Sequence, residues 1–330
     1  MDNSDAALTN RGRAFDLRAY VAIARPDHWF KNVFMLLGVA LAFFIQPDLV
    51  ADGWFYPLLV AVASACLVAS SNYVINEVLD APRDALHPTK RFRPVPSGRV
   101  NLSLAYAEWL LLAVLGLTLA WFINLPFFIS ALGLWLAGMA YNIPPVRTKD
   151  LPYLDVLSES INNPLRLFMG WFALVPASFP PLSMVIAYWM AGAFFMGAKR
   201  FAEYRMIADA EVAGSYRKSF RHYTADSLLI SLFFYATACA FFFGIFVIRY
   251  HLELILAAPV FAGFFAYYIK ITFKNDSPVQ NPEHLYREKK FMLFLGGACL
   301  IFVILLFTHI DFMYDLFNVI QYKLVPLWSF

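Results

Sequence analysis

Apolar residues fall in long runs divided by short charged segments. The runs lie near 33–47, 54–76, 102–123, 126–143, 152–175, 182–198, 227–249, 252–273 and 291–308. Most approach the ~20 residues that a helix needs to cross hydrocarbon. The pattern predicts an all-α polytopic membrane bundle of about nine transmembrane helices. The first run is short. Residues 18–31 ahead of it mix Tyr20, Val21, Ile23, Trp29 and Phe30 with charges, which predicts an interfacial segment leading into the bilayer. Three regions follow: a cytoplasmic or interfacial segment over 1–31, a transmembrane catalytic domain over 32–308 and a C-terminal tail over 309–330.

Composition strengthens this reading. Apolar residues make up 61% of the 330 residues and charged residues 15%, against about 45–50% and about 25% in soluble domains. A water-soluble globule, a disordered chain and a disulfide scaffold are excluded. Cys66, Cys239 and Cys299 sit in apolar runs without metal-ligand or CxxC spacing and read as small buried hydrophobes. Residues 1–31 lack the compact apolar core of a cleavable signal. With the N-terminus placed in the cytoplasm, 23 of the 26 Lys and Arg fall in inside segments, as the positive-inside rule requires. The inside loops near 79–101 and 199–225 are long, and long loops in compact proteins tend to be functional.

The first of these loops follows the most informative segment, Asn76-Glu77-Val78-Leu79-Asp80-Ala81-Pro82-Arg83-Asp84. Asn76, Asp80 and Asp84 share one face if the helix continues, although Pro82 can bend or end it. One amide oxygen and two carboxylates facing a cavity suit Mg²⁺, which favours one or two carboxylates plus substrate phosphates. The bland alternative is a solvated helix end. Lys90, Arg91 and Arg93 follow within ten residues; they suit phosphate oxygens or, more simply, anionic lipid headgroups. Further along, Asp155, Glu159, Asn162 and Arg166 form a polar stripe within an apolar run, facing a cavity or bonding to neighbouring helices. Lys199 and Arg200 end the sixth run, either facing an anion or snorkelling to headgroups. Arg217, Lys218 and Arg221 lie in the loop beyond. The histidines are scattered, and none pairs at metal-ligand spacing.

Asn76-Glu77-x-x-Asp80-x-x-x-Asp84 resembles the first aspartate-rich motif of the UbiA superfamily of intramembrane prenyltransferases, with Glu77 where that motif usually has Asp. The extension His87-Pro88-Thr89-Lys90-Arg91-Phe92-Arg93-Pro94 is similar to the branch containing decaprenyl-phosphate phosphoribosyltransferase. So are Arg25-Pro26-x-x-Trp29-x-Lys31-Asn32, Lys199-Arg200-Phe201-Ala202-Glu203 and Tyr216-Arg217-Lys218-x-x-x-x-Tyr223-Thr224. The matches run from about residue 20 to 225. The family's second acidic motif corresponds to the region from Tyr141 to Glu159, and the stretch Ser158-Glu159-Ser160-Ile161-Asn162-Asn163 is more polar here than the family leads one to expect.

The resemblance implies a Mg²⁺-dependent enzyme that moves 5-phosphoribosyl from phosphoribosyl diphosphate to a polyprenyl phosphate and releases diphosphate. Asn76, Asp80 and Asp84 would hold the metal. Asp155 or Glu159 would stabilise the cationic centre or bind metal. Substrate contacts are expected from Lys31, Asn32, Lys90, Arg93, Tyr141, Lys149, Arg166, Lys199, Arg200, Arg217 and Lys218. The expected location is the cell inner membrane, with the site on the cytoplasmic side; a homo-oligomer is left open, and no nucleic-acid partner is expected. The nearest alternative is a prenyltransferase that moves a polyprenyl chain from its diphosphate to an aromatic or other acceptor. A transporter with an acidic coupling site fits less well, because transporter sites usually lie at the midplane on broken helices.

Overall fold

The computed structural model describes residues 16–51, 53–85, 90–207, 214, 217–280 and 282–317. Their regular structure is helical, with no strand among the described residues. In chain order the α-helices are α1 (Leu17–Ala24), α2 (Leu36–Ile45), α3 (Phe55–Asp84), α4 (Leu102–Ile123), α5 (Leu125–Asn142), α6 (Leu154–Ser160), α7 (Asn162–Phe172), α8 (Leu182–Ile207), α9 (Ala225–Tyr250), α10 (Ala258–Thr272), α11 (Lys289–Leu306) and α12 (Asp311–Leu316). A 3₁₀ segment, Pro26–Met35, joins α1 to α2, so the approach to the first span is helical but broken. Eight stretches are long and apolar enough to cross a membrane. The expected ninth, 152–175, is divided at Ile161 into α6 and α7. About nine crossings therefore stand, one of them discontinuous. The chain is a multi-pass membrane protein.

Local chemistry sets several helix starts. Asn101 Oδ1 accepts from Ser103 N at 2.9 Å and Leu104 N at 3.3 Å, capping α4. Asn124 Oδ1 accepts from Phe127 N at 2.8 Å, capping α5. Thr224 and Ser227 bond reciprocally at the start of α9. Such caps satisfy amide groups that a helix leaves unpaired. α3 continues through Pro82 and ends at Asp84.

Two cores result. One packs α2, α3, α5 and α7 around Phe127, Leu134, Leu167 and Trp171. The other packs α8, α9 and α10 around Phe194, Leu232, Phe265 and Tyr268. Between apolar helices in lipid, close approach and interhelical hydrogen bonds replace the hydrophobic effect. A Cβ on Gly38 would strike the Leu167 carbonyl, and one on Gly170 the Met35 carbonyl; α2 and α7 touch backbone to backbone. Ser64 and Ser71 of α3 donate to Gly116 O and Trp109 O of α4 at 2.8 and 2.9 Å. Cys66 and Cys239 are buried as expected, but Cys299 is exposed. It lies on α11, most of whose surface has no protein against it, so the apolar run there meets lipid rather than a core.

The region taken as a tail begins with structure. α12 is fastened by Glu253, which is fully buried. The Glu253 carboxylate accepts from Ile310 N at 2.9 Å and the Tyr314 hydroxyl at 3.0 Å. His251 and His309 approach it at 3.4 and 3.0 Å. Residues 318–330 lie outside the described residues.

Candidate active site

A cavity of about 500 Å³ draws its walls from α3, α5, α6, α7 and α8 and from the segments that follow α1 and α5. Ten Lys or Arg line it against five Asp or Glu. That excess calls for an anionic occupant, and a polyanion suits it best.

Asn72, Asn76, Asp80 and Asp84 stand on successive turns of α3 and all face the cavity. Gly138 of α5 makes room for Asn72, because a Cβ there would overlap its amide. Asn72 Nδ2 donates to Leu134 O at 2.9 Å, whereas its buried Oδ1 has no partner among the described residues. Asn76 Nδ2 donates to Asn142 Oδ1 at 2.5 Å. The Asp80 carboxylate receives Lys149 Nζ at 2.7 Å and Arg147 Nη2 at 2.9 Å. Asp84 receives Arg93 Nη1 at 2.6 Å, with Lys90 Nζ at 4.0 Å. Burial pushes the Lys149 ammonium down to about 8, while Asp80 pulls the other way. Burial lowers Lys90 as well, against Asp84. For Asp150 burial acts upward, but Arg83, Arg147 and Lys218 outweigh it and hold the carboxyl below its ordinary range.

Glu77, the departure from the usual motif, does not face the cavity. It is buried and accepts from Arg25 Nη2 at 3.3 Å and Val95 N at 3.2 Å. It fastens the N-terminal segment and the loop bearing Lys90 and Arg93 to α3. His87, Pro88, Thr89 and Tyr216 lie outside the described residues.

The second acidic region behaves differently from the stripe expected of one continuous helix. Glu159, Asn162 and Arg166 line the cavity, but Asp155 does not. Asp155 is fully buried beneath Arg200 Nε at 3.3 Å, Ser219 Oγ at 3.1 Å and the Tyr223 hydroxyl at 2.7 Å. Its placement argues against contact with a reacting carbon. Glu159 accepts from Arg200 Nη2 at 2.6 Å and the Tyr141 hydroxyl at 3.0 Å. Arg200 also meets Glu203 at 3.2 Å, so much of its charge is spent inside the protein. Arg217 donates to the Tyr141 hydroxyl at 2.9 Å.

Of the residues singled out in the sequence, Lys31, Asn76, Asp80, Asp84, Lys90, Arg93, Tyr141, Lys149, Glu159, Arg166, Lys199, Arg200 and Arg217 line this one cavity. Asn32 is buried behind it, Asp155 is enclosed, and the Lys218 side chain is 56% exposed with its Nζ 3.6 Å from Asp150. The sequence assigns no site role to Arg25, Asn72, Tyr73 and Asn142, which line the cavity, or to Arg147, which bonds to Asp80. The density of polar residues from Tyr141 to Asp150 was the available signal for two of them.

Among the described residues no three His, Cys, Asp or Glu converge on a metal position. Mg²⁺ does not require this, since it keeps waters and shares substrate phosphates beside one or two carboxylates. Asp80 and Asp84, with the Asn76 amide one turn earlier on the same wall, form a hard-oxygen donor set that fits such an ion.

A family model described as the UbiA prenyltransferase family matches residues 32–295. Decaprenyl-phosphate phosphoribosyltransferase from Mycolicibacterium smegmatis is 31% identical over 232 residues, covering 68% of this chain and 69% of that protein. The protein of the same name from Mycobacterium tuberculosis is 32% identical over 231 residues, covering 68% and 72%. A solved UbiA homologue from Archaeoglobus fulgidus, bound to DMAPP and Mg²⁺, shares the fold with a TM-score of 0.64 at 19% identity, covering 87% of this chain and 99% of that one.

Proposed function

This chain belongs to the UbiA prenyltransferase family, and from that premise we propose that it transfers 5-phosphoribosyl from phosphoribosyl diphosphate to a polyprenyl phosphate, at the cytoplasmic face of the inner membrane. The observation that carries this reading is the cavity's excess of five cations, distributed on both sides of the acidic wall. An allylic diphosphate presents one anionic group. Phosphoribosyl diphosphate presents two, at opposite ends of a small sugar. The names of the relatives at 31–32% identity point the same way.

Asp80 and Asp84, aided by Asn76, would hold Mg²⁺, which when bound neutralises the diphosphate leaving group. Lys90 and Arg93 share that charge from the loop after α3, and Lys149 and Arg147 from the loop after α5. Lys199 and Arg217 face the cavity from the other wall and take the 5-phosphate. Arg200 contributes less, because Asp155, Glu159 and Glu203 surround it. The bond from C1 of the ribose to the diphosphate oxygen breaks, and an oxygen of the acceptor phosphate forms the new bond to C1. The acceptor is already an anion, so no strong base is needed. Glu159 lines the cavity and is the carboxylate we assign to favour positive charge at C1, whereas Asp155 holds Arg200 and Arg217.

The test is incubation of purified protein with labelled phosphoribosyl diphosphate, a polyprenyl phosphate and Mg²⁺, followed by lipid extraction. Label in the lipid phase, absent in Asp80→Asn, is expected. No ribosyl lipid, with Asp80-dependent consumption of an allylic diphosphate instead, would move the chain to the ordinary prenyltransferase reading.

A further inference from the structure

Six arginines line the cavity: Arg25, Arg83, Arg93, Arg166, Arg200 and Arg217. Five have a carboxylate within 4.0 Å. Arg166 has none among the described residues. It sits on α7, only 7% exposed, where an unpaired charge is costly. Its Nε donates to Asn32 Oδ1 at 3.0 Å and its Nη1 to the Asn162 carbonyl at 3.3 Å. Both acceptors are neutral. A buried guanidinium held by neutral groups and open to a cavity is prepared for an anion that arrives from outside the chain.

Depth and surroundings separate this position from the acid pair. Asn32 Nδ2 reaches Cys66 Sγ at 3.1 Å. Tyr73, which lines the cavity with Arg166, precedes Asp80 by seven residues on α3, roughly 10 Å along a helix axis, so the two positions are distinct but adjoin within one cavity. Lys31 stands beside Tyr73, its Nζ 6.0 Å from the ring centre, and also lines the cavity. The same 3₁₀ segment, Pro26–Met35, turns Phe30, Val33 and Phe34 outward at 60%, 52% and 40% exposure. One short segment thus places a cation and an amide inward and a band of apolar side chains toward lipid.

We infer that Arg166, Asn32 and Lys31 form the subsite for the phosphate of the lipid acceptor, and that its isoprenoid tail leaves across Phe30, Val33 and Phe34. The inference rests on the reading under Proposed function, which requires a polyprenyl phosphate, and it assigns that lipid a position apart from the donor. A single phosphate monoester matches one guanidinium with a nearby ammonium, where a soluble donor phosphorylated at both ends would gain more at the cation-rich end near Asp84. Asn32 holds Arg166 in place, and Lys31 adds charge from the lipid side.

The experiment uses the full chain in detergent with a short polyprenyl phosphate and the matching polyprenol. Binding of each is measured by titration calorimetry, and turnover by label transfer to lipid. Wild type is expected to prefer the phosphate over the alcohol by tenfold or more. Arg166→Gln should remove that preference and raise KM for the lipid phosphate roughly ten- to hundredfold, leaving the donor KM within about twofold; Arg166→Lys should recover part of the loss. A rise in donor KM instead, or equal binding of phosphate and alcohol by wild type, overturns the subsite. If Arg166→Gln does not fold, Lys31→Gln decides by the same two KM values, and a change confined to the donor sinks the inference. The two readings fail separately. A phosphate preference that depends on Arg166, without any ribosyl lipid, removes the transferase reading and leaves the subsite. Ribosyl lipid formed with an unaltered lipid KM in Arg166→Gln removes the subsite alone.

Discussion

Asp80 holds two cations and still faces the cavity; Asp155 meets two and is sealed beneath them. Equal chemistry in unequal surroundings predicts unequal phenotypes. Asp80→Asn and Asp84→Asn keep the shape of the wall and remove its charge. Each should cut turnover roughly a hundredfold or more, since metal and electrostatic stabilisation supply several kcal/mol. Turnover measured across a Mg²⁺ titration checks this; near-normal rates at saturating metal in both variants would end the metal assignment. Arg200 and Lys199 are neighbours in sequence with opposite expectations. Arg200→Gln leaves Asp155, Glu159 and Glu203 without their shared cation, and breaking a buried pair costs about 3–5 kcal/mol. Its thermal midpoint should fall by several degrees. Lys199→Gln should leave stability within about 0.5 kcal/mol and raise the donor KM. The carboxylates at 80 and 84 were legible in the sequence because spacing alone puts them on one helical face. The partners of Asp80 were not, because Arg147 and Lys149 come from a loop 67 and 69 residues away, and only packing decides which cations arrive there.

The helices were largely legible because lipid imposes a length: no backbone group can be left unpaired in hydrocarbon, so each crossing needs about twenty apolar residues. The division of 152–175 was less legible. Polar residues recur at helical spacing straight through Ile161, and the sequence pattern does not register that the helix is interrupted there. The attachment of α12 was hidden for a different reason. Glu253 lies in an apolar run, and its partners Ile310 and Tyr314 are 57 and 61 residues away. Glu253→Gln should weaken this attachment by about 1–3 kcal/mol while turnover stays unchanged, since the cluster lies outside the cavity lining. Limited proteolysis is the measurement: cleavage between 309 and 317 should quicken, and an unchanged cleavage rate would show that the helix is held by other contacts.

At the scale of the whole molecule, the charge distribution along the chain predicts which way the cavity opens. In a variant lacking the three native cysteines, Arg91→Cys should be labelled by a membrane-impermeant reagent only from the cytoplasmic side. Phe179→Cys, in the link between α7 and α8 and 81% exposed, should be labelled only from the opposite side. The reverse pattern would invert the topology and the cytosolic supply of donor with it. The length of α3 has a consequence of its own. Thirty residues span roughly 45 Å, against about 30 Å of hydrocarbon, and the apolar part of the helix ends near residue 76. The turns bearing Asp80 and Asp84 therefore project beyond the oily layer, while Arg166 sits alongside it. Such an enzyme carries a built-in ruler for bilayer thickness. In vesicles of short-chain lipids the headgroup plane moves inward, toward Arg166, so the lipid KM should fall as the bilayer thins while the KM of the soluble donor holds steady. Membrane composition would then tune this reaction without any effector touching the protein.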